Sequence, residues 1–214
     1  MARTLAVHTY LTCEPGMREE VIKIYRPMVA ASQAKPGVIA YFVGTPVNDE
    51  SETEVVVFEL YADRGAFNAQ LASPEMKEFR TETAGLLKQS TMKLATPLAH
   101  SFLRPPTSVE PGITILANME YAETADMGEV LANASRLIAH TQSNEPATQS
   151  YFWAIEEGNP RSICVFEQFE SQEFCFGTHM KTELFIEATS AHAEGLVARP
   201  TFAKRELGFV RAWA

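Results

Sequence analysis

Val57-Phe58-Glu59 returns as Val165-Phe166-Glu167, and Leu5-Ala6-Val7 returns as Ile113-Thr114-Ile115, each pair separated by 108 positions. A constant offset between strand-like segments marks an internal repeat, so whatever fold the first half adopts the second must adopt too. Tyr41-Phe42 and Tyr151-Phe152 stand 110 apart, which needs two extra residues earlier in the second copy and two fewer in its next loop. Loops absorb such changes at little entropic cost. Between the copies runs Arg104-Pro105-Pro106-Thr107-Ser108-Val109-Glu110-Pro111-Gly112, whose prolines remove backbone donors and stiffen the connection. The expected organisation is a first unit at residues 1–104, a Pro-rich linker at 105–111 and a second unit at 112–214.

Within the first copy Leu5, Val7 and Leu11 alternate with His8, Tyr10 and Thr12, the period of a strand with one apolar face. Met17, Val21, Ile24, Met28 and Ala31 then recur at helical spacing until Lys35-Pro36-Gly37 stops the helix. Strands follow at 38–43 and 55–61, then a helix opened by Asp63 and restarted at Ser73-Pro74, and a last strand over about 92–102. The order is β-α-β-β-α-β. The second copy repeats it, with strands at 113–121, 149–155 and 162–169, a helix through Val130, Leu131, Leu137 and Ile138, further helix to about Leu196 and a closing strand. Helices on one face of an antiparallel sheet leave the other face to be covered, and Tyr41, Val43, Val57, Tyr61, Tyr151, Trp153, Val165 and Phe169 are assigned to that other face. The expectation is that the two sheets cover each other and enclose a shared apolar chamber.

The chain of 214 residues is 46% hydrophobic and 21% charged, enough for one or two buried cores, which excludes disorder. Eighteen Lys and Arg against 27 Asp and Glu leave a net charge of −9, which argues against nucleic acid and anionic membrane surfaces and for a small-molecule or protein partner. Cys13, Cys164 and Cys175 are odd in number and widely spaced, so neither a disulfide framework nor a thiolate zinc site is indicated. With no apolar leader and no long apolar run, a cytoplasmic location is expected. The chain carries no H-E-x-x-H, no Gly-rich phosphate loop and no G-x-S-x-G, and Asn133-Ala134-Ser135 falls in a helix and is a chance sequon.

The run Phe58-Glu59-Leu60-Tyr61-Ala62-Asp63-Arg64-Gly65-Ala66, continuing through Gln70 to Ser73-Pro74, resembles the signature of antibiotic biosynthesis monooxygenase domains, roughly Glu-x-aromatic-x-Asp-x-x-Ala-x-x-x-His-x-x-Ser-Pro. Glu59, Tyr61, Asp63, Ala66, Ser73 and Pro74 match, while Gln70 stands at the His position. The second copy keeps Glu167 and an aromatic, Phe169, and restores the histidine as His179 after a one-residue insertion. The resemblance implies an α+β fold: two tandem ferredoxin-like units forming a dimeric α+β barrel, here within one chain. It also implies oxygenation of aromatic polyketide- or quinol-type compounds with no metal or flavin cofactor, a role in secondary metabolism, and O₂ as co-substrate. In one branch it implies haem breakdown from an Asn, a Trp and a His; Asn118 is present, but residues 174–178 hold no Trp, which argues against that chemistry.

Cofactor-free oxygenation needs an electron-rich phenol or enol, a base and a dry pocket. The resemblance makes His179 a candidate base, with a structural histidine as the alternative. Glu59 and Glu167 alternate with Phe58 and Phe166, so they should point into the chamber and act as acid or base, or else tie strands together. His8 lies on the polar side of the first strand with Tyr10, matched by Leu116 and Asn118 in the second copy; Asn118, on the resemblance, is a candidate to hold a carbonyl or bound oxygen. The catalytic candidates are therefore His179, Asn118, His8, Glu59 and Glu167. The binding candidates are Tyr10, Tyr41, Tyr61, Tyr151, Trp153 and Phe169, which stack on a planar ligand or simply fill the core, together with His100 entering from the last strand of the first copy. His140 and His192 are read as surface residues. The alternatives to an oxygenase are a ligand-binding or scaffolding module and a non-oxidative cyclase or isomerase of polyketide-like enols. Exposed strand edges leave a homodimer possible.

Overall fold

A computed structural model of the chain describes residues 3–105, 110–190 and 196–213. Linker residues 106–109 and His192 lie outside the described residues. The chain forms two tandem ferredoxin-like α+β units. One compact unit comprises Met1–Leu94 with Ala203–Val210, the other Ala95–Phe202 with Arg211–Ala214.

Unit 1 holds β1 (Leu5–Cys13), α1 (Arg18–Gln33), β2 (Val38–Pro46), β3 (Glu54–Tyr61), α2 (Arg64–Leu71), α3 (Pro74–Glu82) and the first part of β4 (Leu87–Pro97). The caps read from sequence are formed: Asp63 accepts the Ala66 amide at 2.8 Å and Ser73 accepts that of Met76 at 3.2 Å, each satisfying an otherwise orphaned donor. β3 pairs antiparallel with both β1 and β2. On its outer side β2 pairs with residues 203–210, the end of the last strand. A register shift between Val43 and Gly44 there accompanies Gly208 at φ +140°, where an added Cβ would collide with the Tyr41 carbonyl oxygen.

Unit 2 contains β5 (Phe102–Leu103), β6 (Ile113–Glu120), α4 (Met127–Asn144), β7 (Thr148–Glu156), β8 (Ser162–Phe169), α5 (Gln172–Gly177), a 3₁₀ turn (His179–Lys181), α6 (Glu183–Ser190) and the start of β9 (Val197–Val210). β8 pairs with β6 and β7, and β7 also pairs with residues 95–97 and with β5. The single strand expected over 92–102 is thus a longer β4 from Leu87 to Pro97 and the two-residue β5, separated by a turn in which His100 takes a left-handed φ of +66°. His100 is exposed in that turn and does not enter from a strand. Among the described residues no helix is long and apolar enough to cross a membrane.

The facing of the sheets differs from the sequence expectation. Directly opposed residues of an antiparallel pair share a face, and Val7 opposes Glu59, which also opposes Tyr41. Leu5, Val7, Tyr41, Val43, Val57 and Tyr61 pack in one core with Val21, Tyr25 and Met28 of α1. In unit 2 Ile115 and Tyr151 both oppose Glu167, and Tyr151, Trp153, Val165 and Phe169 pack with Val130, Leu137 and Ile138 of α4. These aromatics and both glutamates therefore lie under the helices, where the sequence reading had placed them on the face turned away. Alternation sorts residues within a strand, but only register sorts strands against each other.

Candidate functional site

Unit 2 contains a cavity of about 360 Å³ lined by Ile115, Ala117 and Met119 of β6, Trp153 of β7, Val165 and Glu167 of β8, and side chains from α5 through β9 including Cys175, His179, Phe185 and Phe202. It opens on the helix-covered face of the sheet, beneath α5, the 3₁₀ turn and α6. Short helices make this possible. Ser171 caps α5 by accepting the Phe174 amide at 3.0 Å, the chain turns through the 3₁₀ segment, and Thr182 accepts the Phe185 amide at 3.2 Å to start α6. α6 buries no residue fully, which leaves space over the sheet.

Two polar groups stand out in this apolar chamber. Glu167 is 7% exposed and accepts the Trp153 indole N–H at 2.8 Å. Burial pushes its pKa up to about 6, against the lowering influence of His179 and the indole hydrogen bond. His179 is 1% exposed, with Nδ1 2.7 Å from Glu145 Oε2 and no partner at Nε2. Its ring packs at 5.0 Å centroid separation against Tyr151, Phe169 and Phe185. The Tyr151 hydroxyl is buried beside Glu167, and burial with that carboxylate nearby keeps it protonated. Burial drives the Cys175 thiol up to about 12, so it is a neutral wall group and not a thiolate.

Of the candidate residues, His179, Glu167 and Trp153 line the cavity, with Tyr151 and Phe169 packed behind His179. Asn118 is not with them. It lies on the opposite face of β6 from Ala117, and its amide donates to Glu120 at 3.0 Å while its oxygen accepts from Ser162 at 3.0 Å. His8 is likewise on the face away from the helices, edge-on to Phe58 at 5.1 Å, fully buried with neither ring nitrogen bonded. Burial, reinforced by Lys93, lowers its pKa to about 3, so it is a neutral imidazole. Tyr10 is part-exposed on that same face. Glu59, Tyr41 and Tyr61 belong to the unit 1 core, where Tyr61 donates to Glu59 at 2.9 Å. His140 is part-exposed on α4. Among the described residues no group of three His, Cys, Asp or Glu side chains could hold a metal ion.

Sequence reasoning missed Glu145. Its position follows from the repeat: at the offset of 110 that relates Tyr41 to Tyr151, Glu145 corresponds to Lys35. Lys35 donates to Gln70, the residue at the His179 position, at 3.0 Å. The same tether is therefore made twice with different chemistry.

The family model for antibiotic biosynthesis monooxygenase matches residues 4–82 and again 113–191. Among solved structures, a presumed monooxygenase from Fusobacterium nucleatum superposes with a TM-score of 0.86 at 12% identity, covering 100% of this chain and 97% of its own. A presumed monooxygenase from Lactobacillus acidophilus gives 0.82 at 14% identity, covering 99% and 98%. An anthrone oxidase-like protein gives 0.63 at 12% identity, covering 98% and 93%. At these identities the likeness is one of fold. No curated protein matches the chain.

Proposed function

The chain belongs to the antibiotic biosynthesis monooxygenase family, and from that premise we propose that unit 2 is a cofactor-independent monooxygenase for a small, neutral, electron-rich hydroxyarene. The observation that carries this reading is the apolar cavity of about 360 Å³ in which Glu167, with its pKa near 6, meets His179. The volume suits a compound of two or three fused rings. The polar groups on the wall are mostly acceptors or already committed: the Trp153 N–H is held by Glu167 and the Thr189 hydroxyl by the Phe185 carbonyl at 2.7 Å. A ligand that donates a hydrogen bond is favoured, and a carboxylate or phosphate is repelled.

In this mechanism Glu167 or His179 takes the proton of the substrate hydroxyl, and the apolar walls leave the aryloxide poorly solvated and reducing. The aryloxide then reduces O₂ directly. For a naphthol-type ring, one oxygen atom becomes the new carbonyl oxygen at the para carbon and the other leaves as water. The ring supplies all four electrons, the hydroxyl becomes the second carbonyl, and the water takes the para hydrogen together with the hydroxyl proton returned by the base. Tyr151 and Phe169 support the imidazole from behind, and Trp153 offers its ring to the substrate plane.

The test is oxygen uptake and product mass with a panel of hydroxyanthrones, naphthols and quinols. Uptake matched by a mass gain of 14 for one added oxygen less two hydrogens is expected, with loss of about 10²-fold or more in Glu167→Gln or His179→Ala and little change in Asn118→Ala. Products formed equally well without oxygen assign the pocket to isomerisation or cyclisation. Binding without any product assigns it to ligand carriage.

A further inference from the structure

We propose that Glu145 is a positioning residue of the unit 2 site, fixing the tautomer of His179 so that the nitrogen on the ring edge away from α4 is a proton acceptor. Glu145 is the residue that ends α4, and its carboxylate is only 5% exposed. Oε2 receives two groups, the Thr148 hydroxyl at 3.1 Å and His179 Nδ1 at 2.7 Å. Burial works to raise its pKa, but the hydrogen bonds from His179 and the Thr148 hydroxyl, with the imidazoles of His179 and His140 close by, outweigh that and hold it below the ordinary value. It is therefore a carboxylate at neutral pH, with no proton to give, and the hydrogen in the short contact must sit on Nδ1. In the neutral ring Nε2 then carries the lone pair, and it is this atom that is buried without a partner.

The surroundings keep Glu145 in place. Arg104 donates through Nε to the Thr148 carbonyl at 2.7 Å and through Nη2 to those of Gln142 at 2.8 Å and Glu145 at 3.3 Å, clamping the C-terminal end of α4 and the loop beyond it. The first copy is an internal control. There Lys35 and Gln70 occupy the equivalent positions, joined at 3.0 Å, and Gln70 also donates to Ser32 at 2.9 Å. That pair preserves the tether between the helices and contains no imidazole. A purely structural tether does not require Glu and His; their presence together in unit 2 alone distinguishes a site from a brace.

The inference rests on the reading of His179 as part of the site, and its test does not require turnover. Ring ¹⁵N spectra of the full chain, labelled at histidine and assigned with His179→Gln, report the tautomer of the neutral imidazole. The expected result is the Nδ1–H form in the wild type and a fall of about tenfold or more in its ratio to the Nε2–H form in Glu145→Gln, whose amide offers a donor as readily as an acceptor. A wild-type spectrum showing Nε2–H overturns the proposal, even if the variant fails to fold. So does a folded Glu145→Gln with an unchanged tautomer ratio. In turnover, Glu145→Gln should lower kcat with KM little changed. If the tautomer result holds and no hydroxyarene consumes oxygen, the oxygenase reading fails and the positioning role stands.

Discussion

The indole of Trp153 donates to the Glu167 carboxylate at 2.8 Å, reaching diagonally from β7 to β8, whereas the equivalent Glu59 is held at 2.9 Å by Tyr61 of its own strand. Trp153 corresponds to Val43 and Phe169 to Tyr61, so an indole from the neighbouring strand replaces the same-strand phenol, while Tyr41 and its counterpart Tyr151 stand by the carboxylate in both copies. An unsatisfied carboxylate in either core would be costly, and each copy meets that cost with a different residue. In unit 2 the donor lines a cavity.

Glu167 makes stability depend on pH. Its folded pKa of about 6 lies above the ordinary carboxyl value of 4.5, so the folded state binds the proton more tightly and stability falls as pH rises from 4.5 through 6. The ionised group costs on the order of 2 kcal/mol at pH 7. Glu167→Gln, which keeps an acceptor for Trp153, should gain on the wild type by about that amount between pH 4.5 and 7 in chemical denaturation. A constant difference across that range would contradict the assignment.

His8 acts in the opposite direction. With its pKa lowered from 6.5 to about 3 it must take up a proton on unfolding, so the stability it contributes is intact above pH 6.5 and is lost as pH falls toward 3. At pH 4.5 the loss is on the order of 3 kcal/mol. His8→Phe should shift the midpoint of acid unfolding downward and narrow the gap in stability between pH 7 and pH 4.5.

Ala117 faces the cavity from β6 and is 8% exposed. Ala117→Phe fills the chamber and leaves Glu167 and Glu145 themselves unaltered. Calorimetry with 1-naphthol should show binding weakened at least about tenfold while circular dichroism stays native, as expected when an aromatic ring takes the place of a ligand.

Gly208 is needed for its backbone. At φ +140°, beside the Tyr41 carbonyl, a side chain is both strained and obstructed. Gly208→Ala should cost about 3 kcal/mol or more, seen as a fall in Tm of roughly 6–12 °C. Gly16, at φ +79° with open space around it, should tolerate Ala at a smaller cost, near 1 kcal/mol.

Much of the fold was legible because it is governed by local rules. The 108-residue offset, the period of two in β1, the helical spacing in α1 and α4 and the caps at Asp63 and Ser73 are written in residues close in sequence, and each element formed where they indicate. His179, Glu167 and Trp153, named as candidates from the sequence, line the unit 2 cavity, although strand position had assigned Trp153 and Glu167 to the face turned away from the helices. What the amino-acid order could not decide was which candidates meet. That Val7 opposes Glu59 and Ile115 opposes Glu167, which carries both glutamates under the helices and leaves His8 and Asn118 on the other face, is a matter of strand register. Register is set by packing across the whole sheet, and the tether of Glu145 to His179 spans 34 residues. Those relationships exist only once the chain has folded, because they depend on surfaces no local segment possesses.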